Sequence, residues 1–293
     1  TAGDRNTAIG AMALDAVVTA SDNTIVGNEA GTTITGGANN TAVGSYALRY
    51  CSTGTKNTAV GKSALTNTST GNQNTGVGEV SLANNTTGYD NVALGYRAGG
   101  ENTTGHTNTT IGKDAGLNIT TGHENVAVGG GALDALTTGN DQTAVGYAAL
   151  GALTTGARNT AIGYAAGANA TTSNNNVLVG YDAGVQLTTG GANVAIGVYA
   201  LDAATTNGAN VAIGYQTLSA NTGSYNVAVG YEALKVNTTG TGHVAIGVYA
   251  LDAITTNNYA TAIGFNALTA NTASNVVAVG AYSLTTNTTG DYN

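Results

Sequence analysis

The 293-residue chain has no proline, no tryptophan, one cysteine and one methionine, and only 8% of it is charged. Each shortage excludes something. Without proline, and with no Gly-X-Y period among its 44 glycines, it is not collagen. Cys51 has no partner in the chain, so a disulfide scaffold is excluded. Asn, Thr and Gly interrupt every apolar run, so no membrane insertion is expected, and no signal peptide is read at its start. Eight basic residues against 16 acidic ones argue against a nucleic-acid partner. Large aliphatic residues and Phe make up only about a fifth of the chain, the level at which disordered chains begin. Disorder, however, pairs low hydrophobicity with high net charge, and a net charge of −8 is small for this length. The apolar 42% is mostly Ala and Val, too small for the thick core of a conventional globular enzyme.

What is present is a repeat. An aliphatic-Gly pair recurs from Gly10 to Gly280 in 17 copies, with 14 spacings of 17 residues and two of 16. One unit reads Asn-[Thr/Val]-Ala-[Ile/Val]-Gly-Tyr-x-Ala-Leu-x-x-x-Thr-Thr-Gly-x-x. The residue before the Gly is Ile or Val in 16 copies and Leu94 in the other, and two places earlier stands Thr or Val in all 17. Such β-branched alternation predicts a short strand. The Gly ends it where the chain bends or another backbone comes close; Gly61, Gly95, Gly129, Gly197 and Gly214 typify this column. A second segment ends in Leu or Gly, as at Leu133, Leu150, Gly167 and Gly184; over so few residues it reads equally as a strand or a helical turn. Both short spacings, 214 to 230 and 264 to 280, lose a residue near Thr-Thr-Gly, which marks that segment as a turn.

A 17-residue period is too short for helical repeats, which begin at about 33 residues. It suits one coil of an all-β parallel solenoid, a β-roll or β-helix of 17 coils, with neighbouring strands stacked about 4.8 Å apart. The strand has two faces: Thr/Val with Ile/Val on one, and Asn, Ala and Gly on the other. Neither carries the Lys, Glu or Arg that a solvated strand would show, so both are expected to be covered, one inside the coil and one by another chain. Irregular Thr/Val alternation, as at Thr160 and Val177, suits a buried site. The expected assembly is a homotrimer, intertwined or side by side, because parallel fibrous rods associate around a three-fold axis. The whole span 1–293 reads as one uncapped array, from a phase-matched start to the lead-in 288–293, and as a segment of a longer fibre.

Asn opens the strand in 13 copies, among them Asn57, Asn91, Asn125, Asn193 and Asn210, and is expected to form a structural hydrogen-bonded ladder. Asn193-Val194-Ala195-Ile196-Gly197 and Asn210-Val211-Ala212-Ile213-Gly214 resemble the Asn-Ser-Val-Ala-Ile-Gly repeat of trimeric autotransporter adhesin heads. That resemblance implies a trimer of left-handed parallel β-rolls on a bacterial surface, although the family's repeat is shorter and lacks Thr-Thr-Gly. The longer unit, as in 57–71, is similar to the repeat shafts of bacteriophage tail fibres. Those often carry a C-terminal self-cleaving chaperone of the endosialidase type, of which the 293 residues contain nothing.

Little in the chain points to chemistry. His106 and His123 are 17 residues apart, so they stack on successive coils as exposed turn residues or, in a trimer, ring the axis around an ion. Asp15, Asp134, Asp202 and Asp252 share one phase, five residues after the strand Gly, and read as a solvated edge. Gly129-Gly130-Gly131 is no phosphate loop, because neither Lys nor a helix follows. Tyr96, Tyr147, Tyr164, Tyr181, Tyr215 and Tyr231 follow the strand Gly directly, with Phe265 in the same column; Tyr46, Tyr199, Tyr249 and Tyr282 stand one place later. Such a column holds sugar rings, or packs a corner or a chain–chain seam. The expected function is therefore non-enzymatic and cofactor-free: the shaft of a tail fibre or surface adhesin, on a virion or a bacterial surface. It would present a tip that binds a host-surface glycan or receptor. The alternatives are a self-assembling extracellular filament, a carbohydrate-binding module and an ice-binding solenoid.

Overall fold

The structure, a computed structural model, describes residues 3–16, 19–288 and 290. Most of the lead-in 288–293, and the first two residues of the array, lie outside the described residues. The chain forms an all-β parallel solenoid with one three-residue strand per repeat. It divides into two compact units, Thr1–Tyr147 and Ala148–Asn293.

The first unit carries β1 (Thr7–Ile9), β2 (Thr24–Val26), β3 (Thr41–Val43), β4 (Thr58–Val60), β5 (Thr75–Val77), β6 (Val92–Leu94), β7 (Thr109–Ile111), β8 (Val126–Val128) and β9 (Thr143–Val145). Each pairs in parallel with the next without shift, so Thr41 lies beside Thr58 and Val43 beside Val60. The second unit carries β10 (Thr160–Ile162), β11 (Val177–Val179), β12 (Val194–Ile196), β13 (Val211–Ile213), β14 (Val227–Val229), β15 (Val244–Ile246), β16 (Thr261–Ile263) and β17 (Val277–Val279), paired in the same way.

Backbone bonds between coils do not stop at the strand ends. Gly61 N–H donates to Val43 O at 2.8 Å, Leu48 N–H to Ala64 O at 3.0 Å and Thr86 N–H to Thr103 O at 2.9 Å. The Thr86 hydroxyl donates to the same Thr103 carbonyl at 2.9 Å, which gives the first Thr of the Thr-Thr-Gly turn its structural reason.

The second segment is neither strand nor helix. Residues two and four places after the strand Gly adopt left-handed conformations, as at Ser63 (φ 57) and Leu65 (φ 50), while the residue between them does not. A left-handed Leu costs about 1–2 kcal/mol, and its full burial returns roughly 1.5–3 kcal/mol, so Leu is tolerated. Gly31, Gly99, Gly116, Gly167 and Gly184 occupy the same site at φ +56 to +61. This is why the column alternates between Leu and Gly.

The narrow interior is filled from three sides: by the central strand residue, by the Ala-Leu pair, and by the residue before Thr-Thr-Gly, as with Ala127, Ala132, Leu133 and Leu136. Outside the Ala column at the central strand position stand Ile25, Gly76, Thr110 and Leu178. The three larger ones each precede a Gly by six residues. A Cβ on Gly31 would lie 3.2 Å from Ile25 Cγ2, one on Gly116 2.6 Å from Thr110 Cγ2, and one on Gly184 2.9 Å from Leu178 Cδ2. A bulky central residue thus takes the volume that Leu fills elsewhere.

The two short coils lose their residue at the turn. Asn221 Nδ2–H donates to Gly223 O at 2.9 Å, and Asn271 Nδ2–H donates to Ala273 O at 2.8 Å, bridging the shortened connection.

Candidate functional site

Within each unit the Asn column forms an internal ladder. Asn57 N–H donates to Asn40 Oδ1 at 2.9 Å, and its Nδ2–H donates to that same oxygen at 3.2 Å and to Gly71 O at 2.8 Å. Asn91 repeats this with Asn74 and Gly105, and Asn125 with Asn108 and Gly139. In the second unit Asn193 bonds Asn176 and Asn207 O, and Asn210 bonds Asn193 and Gly223 O. Each side chain satisfies the backbone on both sides of the turn, so an Asn spends its hydrogen-bonding groups on the fold and keeps none for a ligand. Gln142 takes this place once: its N–H still donates to Asn125 Oδ1 at 3.1 Å, while its longer side chain turns to Asn140 O at 2.9 Å.

The Gly column is sterically fixed. Gly61, Gly95, Gly129, Gly197 and Gly214 lie at φ between +131 and +137, and a Cβ would stand against the carbonyl of the next coil's glycine, 2.6 Å from Gly78 O in the case of Gly61. Only glycine fits both the torsion and the space.

The strand's face assignment differs from the expectation. The small residues Asn and Ala turn inward, and both β-branched positions turn outward. The irregular Thr/Val column is therefore on the surface: Thr160 is half-buried and Val177 exposed. The physical reason is volume: a coil this narrow accepts Ala against the Leu layer but not a second β-branched side chain. In ten coils, from Ile213 at 36% to Val279 at 68%, the last strand position exposes a large aliphatic group, in the other seven it is half-buried, and neither outward column contains a charged residue.

Around the next corner lie the aromatic residues. Tyr164 and Tyr181 stack with ring centroids 5.1 Å apart, as do Tyr215 and Tyr231 at 5.2 Å. Tyr199 meets Tyr181 and Tyr215 edge-on at 5.6 and 6.4 Å, and Tyr249 meets Tyr231 edge-on at 5.5 Å. In the first unit, Tyr96 lies under the Arg97 guanidinium, 5.9 Å from it, and Tyr147 lies over Gly130. The rings of the second unit pack against one another along the corner, yet Tyr96, Tyr147, Tyr164, Tyr181, Tyr215 and Tyr231 all remain 40–60% exposed.

His106 and His123 stack at 4.8 Å with planes 3° apart, and Tyr89 continues the column at 4.6 Å. Parallel imidazoles aim their lone pairs side by side instead of converging on an ion. Among the described residues no group of three or more His, Cys, Asp or Glu could hold a metal. Burial pushes the Cys51 thiol up to about 11, leaving it protonated and inert.

The acids pair between neighbouring coils, which their scattered positions along the sequence conceal. Glu29 and Arg49, two and five places after successive strand glycines, form an ion pair at 2.5 Å. The same two places hold Asp114 with Asp134, Asp182 with Asp202, and Glu232 with Asp252. Burial, then the neighbouring like charge, raises Asp134 and Asp202 from the ordinary aspartate value. Burial and then Glu232 raise Asp252. The signal was legible in the Glu29–Arg49 spacing once coils are laid side by side.

No family model, curated protein or solved structure matches the chain.

Proposed function

We propose that this chain is a non-catalytic shaft segment of a fibre, and that its copies associate, as a trimer first, through the outward face of the sheet. The observation that carries this reading is that face: two columns of Thr, Val, Ile and Leu, free of charge and continuous along each unit. Apolar stripes of this kind on soluble proteins mark contacts with another molecule. Identical columns at a common pitch fit copies of themselves. Rigidity within each unit comes from its coil-to-coil hydrogen bonds. The repeat's likeness to tail-fibre and adhesin shafts supports a place on a virion or a bacterial surface, where the shaft spaces a tip that binds a host glycan or receptor. Mass measurement of the purified chain by sedimentation tests the association: a trimer supports the reading, and a monomer at micromolar concentration overturns it.

A second reading has one observation in its favour. The outward column presents Thr41, Thr58 and Thr75 in register, an array suited to ordering water. Thermal hysteresis in a monomeric preparation would select this ice-binding role.

A further inference from the structure

The Asn ladder of the second unit contains one rung that can take up a proton. His243 stands where twelve coils earlier and one coil earlier Asn stands, and it is fully buried. Its N–H donates to Asn226 Oδ1 at 3.0 Å, as an Asn would. Its ring then copies the carboxamide. Nε2 lies 2.7 Å from Asn257 O, an acceptor, so Nε2 carries the hydrogen. Ala260 N–H donates to Nδ1 at 3.2 Å, so Nδ1 offers a lone pair. Both neighbours are backbone groups of the following coil and fix the neutral Nε2–H tautomer.

An Asn in this place never titrates, whereas a histidine does. Protonation of Nδ1 would point N–H at N–H across the Ala260 contact. It would also place a cation in a buried site. The ring meets Asn257 and Ala260 from the following coil and Gly240 from its own turn, with Asn237 beside Gly240 and Asn226 on the residue's own N–H. None is charged. Tyr259, next to Ala260, is exposed, and no carboxylate contributes to the titration of His243. The Asn257 carbonyl favours a positive ring, but a single neutral acceptor does not offset the burial.

We propose that His243 is an acid-sensitive rung, at which coils 243–260 of the second unit open when the pH falls below the ordinary histidine range. Burial holds its pKa below 6.5, so the folded form binds the proton less readily than the opened form. The sign follows: the rung is fully closed above about pH 6.5 and progressively lost below it.

Amide hydrogen exchange on the full chain tests this. Protection of a peptide spanning 243–262 is compared with one spanning 193–212, at pH 7.5 and pH 5.0, after correction for intrinsic exchange. The expected result is a loss of protection in the first peptide at least about tenfold greater than in the second. His243→Asn, which restores the ladder, is expected to abolish the difference. Equal losses in both peptides, or an unchanged difference in H243N, would overturn the proposal. Should H243N not fold, the ring nitrogens of the unaltered protein decide. A neutral Nε2–H form persisting below pH 6 supports the rung, and an ordinary titration at 6.5 without loss of Ala260 protection overturns it.

Discussion

Leu178 occupies the space beside Gly184: a Cβ on Gly184 would lie 2.9 Å from Leu178 Cδ2. The two residues are one packing unit, inverted relative to coils such as that of Ala127 and Leu133. Leu178→Ala should cost about 2–5 kcal/mol by opening a cavity, and Gly184→Leu alone about 1–3 kcal/mol by overpacking. The double variant should recover most of the loss, since it recreates the common Ala/Leu pairing. Denaturant midpoints of the three variants measure the coupling; additive effects would show that the two do not share a volume.

The Gly column and the neighbouring left-handed sites should respond very differently to alanine. Gly61→Ala sets a methyl against Gly78 O and is expected to cost more than about 4 kcal/mol or to prevent folding. Gly131→Ala, at φ +65 with nothing within 4 Å of a Cβ, should cost about 1–2 kcal/mol. Thermal unfolding of the pair separates steric exclusion from torsional preference.

Asn193→Ala removes the acceptor of Asn210 N–H and the donor to Asn207 O. Each stranded buried group costs about 1–3 kcal/mol. Asn193→Asp keeps the first acceptor but buries a carboxylate against two other acceptors, Asn176 Oδ1 and Asn207 O, so at pH 7 its denaturant midpoint should fall below that of Asn193→Ala.

The acid pairs predict a pH dependence opposite in sign to that of His243. A carboxyl with a folded-state pKa above its unfolded value binds protons more readily when folded. The penalty at Asp134, Asp202 and Asp252 is therefore complete at neutral pH and relieved as pH falls towards the carboxylate range. Asp202→Asn should raise the thermal midpoint at pH 7, by an effect under about 1 kcal/mol because the pair is partly solvated, and should change little at pH 4. An equal effect at both values would remove electrostatics as its cause.

On the sheet's outward face, Ile196→Lys is expected to leave monomer stability within about 0.5 kcal/mol, because the side chain is 37% exposed. It should lower the mass found by sedimentation if copies meet there. Unchanged mass would move the association to another face.

Much of the architecture was legible in the sequence because each repeat poses the same local problem. A glycine torsion closed to other residues, an Asn that bonds both sides of a turn and a β-branched triplet each leave a mark at a fixed phase. Seventeen copies make those marks unmistakable. The period and composition therefore determined a parallel solenoid with a buried polar ladder. They did not determine which strand face turns inward, since Thr, Val and Ala all suit a strand. That was decided by the volume inside the closed coil, where the left-handed Leu and its facing partner leave room only for Ala. Tertiary structure likewise set Leu178 against Gly184, Asp182 against Asp202, and His243 between two backbone groups, because these relations join residues six, 20 and 14–17 positions apart that meet only when the coil closes and the next one stacks upon it.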